Sequence, residues 1–362
     1  MAPARGGSRI QLRILVLFLC LGLVPLILGY YALIGGAEAR LRGSVGLYFG
    51  HRCDQLQDDI VDYLESLQAE VVNLAALPVV LEELKKVAPP DERTNFDRAV
   101  AELEARWPQL EPGRSQELDA ILERPASVLM RSLNRVTAHF REILLADRYG
   151  RLVAATGKTS DYYQADEEWW RVAYLEGRGQ SYLSDIQYDE SMGIYSVDVA
   201  EPVRDPESGE VLGILKAVSD SHSLFRIVDN LRFGETSAAI ILRRDGTLVT
   251  SPGSDERYPF VDQVNSSVDR GVRWLEVPED DPKLFLGLPS ARLAASVPQL
   301  DWVVVIEAER NEVFAPFRNL RSWYAYLAVF GLVLVVVLSL IFTWFLSKPI
   351  VEVDPHLDQI GS

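Results

Sequence analysis

The stretch from Tyr162 to Asp198 carries Tyr163, Trp169, Trp170, Tyr182, Asp185, Tyr188, Asp189 and Tyr195. Aromatic faces attract cations and carboxylates pair with them, so a pocket built from these side chains suits an amine or another small cation. A second reading makes Trp169 and Trp170 core residues that anchor a helix, with the acids between Ser184 and Ser191 on a solvated loop. Calcium is a poor fit, because Asp185, Asp189 and Glu190 lack the Asp-x-Asp-x-Asp-Gly spacing of a calcium loop. No Gly-x-Ser-x-Gly, Walker loop or His-Glu-x-x-His occurs, and the four histidines, His51, His139, His222 and His356, are scattered. The expectation is a binding protein and not an enzyme, with neither a metal nor a cofactor.

Composition bounds what can hold such a site. A chain of 362 residues, 48% hydrophobic and 24% charged, is a folded protein with room for one large domain or two moderate ones. Its net charge of −16 disfavours nucleic acid, which needs a basic footprint. Two cysteines, Cys20 and Cys53, exclude a disulfide framework or a zinc cluster.

Two apolar runs bracket the acidic middle. Residues 14–37 and 323–346 are free of charge and long enough to cross a bilayer, which takes ~20 apolar residues. Tyr30 and Tyr31 on the first run, and Trp323, Tyr324, Tyr326, Trp344 and Phe345 on the second, fall where an interfacial aromatic belt would lie. A cleaved signal peptide ending near Ala37-Glu38-Ala39 is the rival for the first run. An h-region spans only ~7–15 residues, so an uncleaved anchor is expected. Leu19 before Cys20 fits a lipoprotein site poorly. Arg5, Arg9 and Arg13 orient the N-terminus (1–13) inward. Residues 38–322 are then exported and 347–362 are cytoplasmic.

Residues 38–88 predict one long helix. Leu41, Val45, Phe49, Cys53, Leu56, Ile60, Leu64, Leu67, Val71 and Leu74 follow one another at steps of three and four. That stripe packs on its own domain, forms a dimer seam, or does both along different turns. Pro89-Pro90 ends it. Helices are expected near Glu92–Trp107 and Ser115–Val136, completing a helical region over 38–136. Strands are then expected at 140–146, 151–156, 181–186, 194–203 and 211–219, with a hairpin loop at Asp205–Gly209. A second set follows at 238–243, 247–251, 272–277, 291–297 and 302–307. Gly150-Arg151-Leu152-Val153 and Gly246-Thr247-Leu248-Val249 mark the same turn in both sets, which implies two tandem modules of one design, 137–232 and 233–312.

A long helix emerging from a span, two tandem PAS-like modules and a returning span resemble the double Cache (dCache) sensor domains of bacterial receptors. The resemblance is carried by Asp161–Trp170, by Val211–Asp220 and by Leu300–Val305, and covers residues 12–346. It implies an α+β fold: a long N-terminal helix plus two antiparallel-sheet modules, flanked by two transmembrane helices. Pro349-Ile350, Val353 and Ile360 resemble the start of a HAMP linker, interrupted by Pro355.

The resemblance also implies a site in the membrane-distal module. The amino-acid-binding branch of the family uses an Arg-x-Trp pair, a Tyr-x-Asp element and an aspartate ending the last strand. Trp169 or Trp170 matches the tryptophan, Tyr182 with Asp185 or Tyr188 with Asp189 matches the second element, and Asp220 matches the terminal aspartate. The arginine that would clamp a carboxylate is absent, since Glu167 and Glu168 stand two residues before the tryptophans. The expected protein is thus a receptor of the bacterial inner membrane, multi-pass and homodimeric, with its main domain outside. It senses an amine or other small metabolite and drives a kinase, phosphatase, cyclase or chemotaxis output in a longer gene product or a separate protein. The alternative is a two-span scaffold of the polysaccharide chain-length regulator type, which would need long helices but no tandem sheets.

Overall fold

The structure, a computed structural model, describes residues 7–90, 93–190, 192–230, 235–253, 257–277 and 284–352. The chain opens with α1 (Gly7–Ala75), α2 (Pro78–Lys85), α3 (Arg93–Arg106), α4 (Gln116–Leu122) and α5 (Pro125–Thr137). The first sheet follows as β1 (Phe140–Asp147), β2 (Leu152–Ala155), α6 (Glu168–Tyr174), β3 (Tyr182–Leu183), β4 (Gln187–Asp189), β5 (Ile194–Arg204) and β6 (Val211–Asp220). After α7 (His222–Asp229) come β7 (Ala238–Arg243), α8 (Val261–Asp269), β8 (Trp274–Val277), β9 (Leu284–Gly287) and β10 (Trp302–Glu309). The short α9 (Arg310–Val313) and the long α10 (Ala315–Glu352) end the described chain.

Several expectations need correction. The helix predicted over 38–88 breaks at Ala76, and α2 turns 55° away from the segment before it. Pro78 causes the break: as first residue of α2 it starts a helix where its missing N–H is harmless. Pro125 likewise divides the helix expected over 115–136 into α4 and α5. The strand expected at 291–297 is a single 3₁₀ turn, Leu293–Ala295. Its buried residues Leu293, Val297 and Leu300 recur every three or four positions, a turn spacing and not the alternation of a strand. The strand that the sequence hid is β9, a short apolar run with no alternation. Among the described residues, 247–251 make only the isolated bridges Leu242↔Leu248 and Thr247↔Arg257 before Pro252 ends the run. Val353, Pro355 and Ile360 of the HAMP-like tail lie outside the described residues.

The chain divides into two compact units, residues 1–48, 278–285 and 308–362 in one and 49–277 and 286–307 in the other. In the first, Leu15–Ala32 of α1 and Ser322–Phe345 of α10 have mean hydropathies of 2.3 and 2.8 and are long enough to cross a membrane. Phe18 stacks on Phe342 with ring centroids 5.7 Å apart. A Cβ on Gly331 would stand 2.8 Å from Leu26 Cδ1, and one on Gly22 would strike Val335, so both glycines allow close approach of the two helices.

The second unit contains two antiparallel sheets. The first has the order β2-β1-β6-β5-β3, with β4 also on β5, and the second β7-β10-β9-β8. Their opening turns share one hydrogen-bond pattern, which is the physical content of the sequence repeat. Gly150 N–H donates to Asp147 O and Gly246 N–H to Arg243 O, both at 3.0 Å. Gln164 N–H returns to Gly150 O at 2.8 Å and Tyr258 N–H to Gly246 O at 2.9 Å. Both glycines have φ near +90°, at +85° and +94°, a region closed to most side chains.

The stripe from Cys53 to Leu74 on α1 is buried within this unit. Tyr63 of α1 meets Ser219 of β6 at 3.2 Å, and Gly213 leaves room for Leu84 of α2. The opposite face of the first sheet is covered by Trp107, Leu118, Ile121, Trp169 and Trp170, which pack on Leu144, Ala146, Ala200 and Ile214.

A candidate ligand site on the first sheet

Strand β6 is central, so residues paired with it define the two faces of the sheet. Glu142 of β1 and Asp198 of β5 both stand opposite Val218. Leu144 and Ala200 both stand opposite Lys216, and Tyr182 of β3 stands opposite Ala200. Directly opposed side chains share a face, so Glu142, Asp198, Lys216 and Tyr182 project together on the side covered by Trp169. Asp189 of β4 joins them, since it pairs with Ile194, two residues before Ser196 on β5.

Lys216 is the hinge of this set. Its Nζ lies 2.8 Å from Asp198 Oδ2 and 5.1 Å from the centroid of the Trp169 ring. Its side chain is only 13% exposed. A cation held by an aromatic face and a carboxylate is what the sequence expected of a ligand, and the chain supplies that cation itself. Asp198 is fixed by Ser184, whose N–H donates to Asp198 O at 2.9 Å and whose Oγ accepts Asp198 N–H at 2.8 Å. Asp198 Oδ1 is buried and has no hydrogen-bond partner among the described residues. An unmet buried acceptor is costly, so it offers a place for a donor.

Charge accumulates around the lysine. Burial pushes the Glu142 carboxyl up to about 7, Lys216 pulls it back, and Asp189, Asp198 and Asp161 push it further. Burial raises Asp161 and Glu167 too, with Asp161 adding to the second. Tyr182 rises to about 12, through burial first and then Glu168 and Asp198. Next to Glu142 a cavity of 610 Å³ opens where β1 begins. Arg131 and Arg135 of α5, Arg141 of β1, Lys158 after β2 and Met192 before β5 share its wall with Glu142.

The nine residues expected at the site fall into five places. Trp169, Tyr182 and Asp189 belong to the face just described, and Asp220 lies at its edge, where it binds Arg141 at 2.7 Å and accepts the His222 N–H at 2.9 Å. Trp170 is buried, stacks on Tyr174 at 4.6 Å and donates its indole N–H to Asp147 O at 3.3 Å, so it anchors α6. Tyr163 sits beside α3, donating its N–H to Glu104 at 2.9 Å with its ring 6.4 Å from Phe96. Tyr188 and Tyr195 oppose each other on the other face, rings 5.1 Å apart. Asp185 is held by the second sheet: Arg243 of β7 reaches it at 2.7 and 3.0 Å, and the Trp302 indole of β10 donates to it at 3.1 Å.

Sequence reasoning passed over Glu142 and Lys216. A signal existed for the lysine, the one charged residue in the run from Val211 to Ser219. A charge inside a buried strand needs a partner.

The methyl-accepting chemotaxis protein PctB of Pseudomonas aeruginosa is 20% identical over 213 residues, 56% of this chain and 31% of that protein. McpA of Pseudomonas putida, also a methyl-accepting chemotaxis protein, is 21% identical over 165 residues, 44% of this chain and 24% of its own length. The chain therefore spans less than a third of either relative. Among solved structures, the ligand-binding domain of the Campylobacter jejuni chemoreceptor Tlp3, in complex with 4-methylisoleucine, has a TM-score of 0.49 at 10% identity, covering 75% of this chain and 94% of that one. A Cache domain of the double type matches residues 51–317, well over half of the sequence, and the chain belongs to that family.

Proposed function

We propose that this chain is the sensory part of an inner-membrane receptor, with the two-sheet unit outside the cytoplasm and the apolar segments of α1 and α10 as its spans. The first sheet is the membrane-distal module and the second the membrane-proximal one. A small molecule binds on the face that carries Glu142, Asp198, Lys216, Tyr182 and Trp169. The carrying observation is that set itself: ionisable side chains converge under a tryptophan, on a sheet face beside an open cavity.

Asp185 supplies a route outward. It lies between β3 and β4, the strands that border the site, and it binds Arg243 and Trp302 of the second sheet. Strand β10 leads through α9 into α10. A ligand that favours one arrangement of the 182–189 segment would bias β10, and so the second span, by no more than its differential affinity for the two states. The output is a cytoplasmic partner of the chemotaxis, kinase, phosphatase or cyclase type, in cis or in trans, reached through a HAMP-like start and read by a homodimer. No catalytic role is assigned to any residue. Two antiparallel sheets give the chain-length-regulator alternative little support.

The test is a thermal-shift screen of the full chain in detergent micelles against a broad metabolite panel, repeated with Asp198→Asn. A compound that stabilises the native chain and loses at least about tenfold in affinity in the variant supports the reading. A native chain that responds to nothing, or responds equally in both forms, overturns it.

A further inference from the structure

The position that an ammonium group would take on this face is already filled. Lys216 has the two contacts that define such a position, the carboxylate of Asp198 at 2.8 Å and the Trp169 ring at 5.1 Å. A free amine entering there would have to expel a tethered cation from a site where that cation is largely buried. The open space reached on the same face at Glu142 has the opposite sign. Among the described residues Arg131 donates only to backbone carbonyls, Ala155 O at 3.3 Å and Leu122 O at 2.6 Å. Lys158 does the same, with Pro108 O at 2.9 Å and Leu110 O at 2.8 Å. Carbonyls satisfy the donors without cancelling the charge. Arg135 is exposed at the rim. Arg141 is neutralised by Asp220. Among the described residues of the cavity wall Glu142 is the one carboxylate, and with burial raising it to about 7 it is partly protonated at neutral pH. The cavity is thus cationic in a chain whose net charge is −16.

We propose that the ligand of this face is a small organic anion without an ammonium group: Lys216 is a built-in occupant of the cation position, and the adjoining cavity takes the anion. This rests on the sensor reading above and adds the ligand class. The acid group sits toward Arg131, Arg135 and Lys158, and a neutral hydroxyl or amide of the ligand is placed to donate toward Asp198 Oδ1. Site selectivity then comes from two elements, attraction of a carboxylate and exclusion of an amine by a lysine that cannot leave.

Matched probes test this on the full chain in detergent micelles. L-Malate and L-aspartate differ by a hydroxyl in place of an ammonium group. The native chain is expected to bind L-malate, or another C3–C6 hydroxycarboxylate of the same series, at least about tenfold more tightly than its amino counterpart. Lys158→Met and Arg135→Gln should each weaken that binding. Lys216→Ala should gain a saturable response to n-butylammonium that the native chain lacks and that Asp198→Asn removes. Lys216→Met, which keeps the apolar stem in place, should lose the exclusion of aspartate without gaining the n-butylammonium response, and it serves if the alanine variant does not fold. A native preference for aspartate over malate overturns the proposal, as does the absence of any carboxylate response or an unchanged preference in both Lys216 variants. An aspartate response that Asp198→Asn abolishes would sink the anion assignment and leave the sensor reading standing.

Discussion

Replacing Glu142 by glutamine isolates the most perturbed acid on the sheet face. Its carboxyl is held protonated from the ordinary 4.5 up to about 7, chiefly by burial. The folded state therefore binds this proton more tightly than the unfolded chain does. For such a raised acid the stability contribution is greatest below 4.5, declines as pH rises from 4.5 to 7, and is flat above 7. At about 1.4 kcal/mol per pH unit the decline is roughly 3 kcal/mol, and partial opening to the cavity brings it nearer to about 2. Glutamine cannot ionise and carries no such penalty. Glu142→Gln should match the native chain near pH 4.5 and exceed it by about 2–3 kcal/mol at pH 8, roughly 4–10 °C in melting temperature for a domain of this size. Melts of both proteins in micelles at pH 5, 6, 7 and 8 measure it. Only the difference is read, because Asp161, Glu167 and Glu104 are also raised by burial and give the native profile a slope of their own. Lys216 lowers Glu142, so a Lys216→Met background should move the window to higher pH. Native and Glu142→Gln profiles that stay parallel from pH 5 to 8 would refute the placement of Glu142 in a desolvated acidic cluster.

Other features give sharp expectations. Asp185→Ala leaves Arg243 with only the Ile186 carbonyl and the Trp302 indole without its acceptor, so a loss of about 2 kcal/mol is expected, with faster hydrogen exchange in 182–189 and 238–243 together. Exchange rising in one segment alone would argue against the link. Gly213→Ala drives a Cβ against Ala146 O and to 2.9 Å from Leu84, and should cost about 1–3 kcal/mol; Gly157→Ala, which meets nothing within 4 Å, is the neutral control in the same denaturation assay. Cys53 is fully buried and its thiol is pushed up to about 12 by burial, so maleimide at pH 7.5 should label it only after denaturation. Rapid labelling of Cys53 in a folded Cys20→Ser chain, or a Cys53 disulfide between subunits, would contradict that packing.

How much of this was open to sequence reading depends on which distances chemistry writes locally. The apolar stripe of α1 was legible because a three-four step repeats over many turns, and the two opening turns were legible because Gly150 and Gly246 must each accept a positive φ. Adjacent tryptophans defeat such reasoning. Trp169 and Trp170 lie about 100° apart on a helix, and only the packed structure separates the ring under Lys216 from the one that anchors α6. Asp185 follows Tyr182 as the family's tyrosine–aspartate element would, yet its partners Arg243 and Trp302 come from the other sheet, a pairing no local pattern records.

The Lys216–Asp198 pair shows where the limit falls. The hairpin loop at Asp205–Gly209 was readable, and counting outward from Arg204↔Val211 as a regular ladder would set Lys216 opposite Val199, on the same face as Glu201. The structure instead has a register shift between Val203 and Arg204, which sets Lys216 opposite Ala200 and on the face of Asp198. One extra residue exchanges the two faces of a strand. Glu201 consequently points to the other side, where Ser181 donates to it at 2.7 Å, and Asp198 is left to hold the lysine. The pairing of Lys216 with Asp198 therefore rests on an irregularity directly beside the hairpin loop, and the charge that fills the site is decided by it.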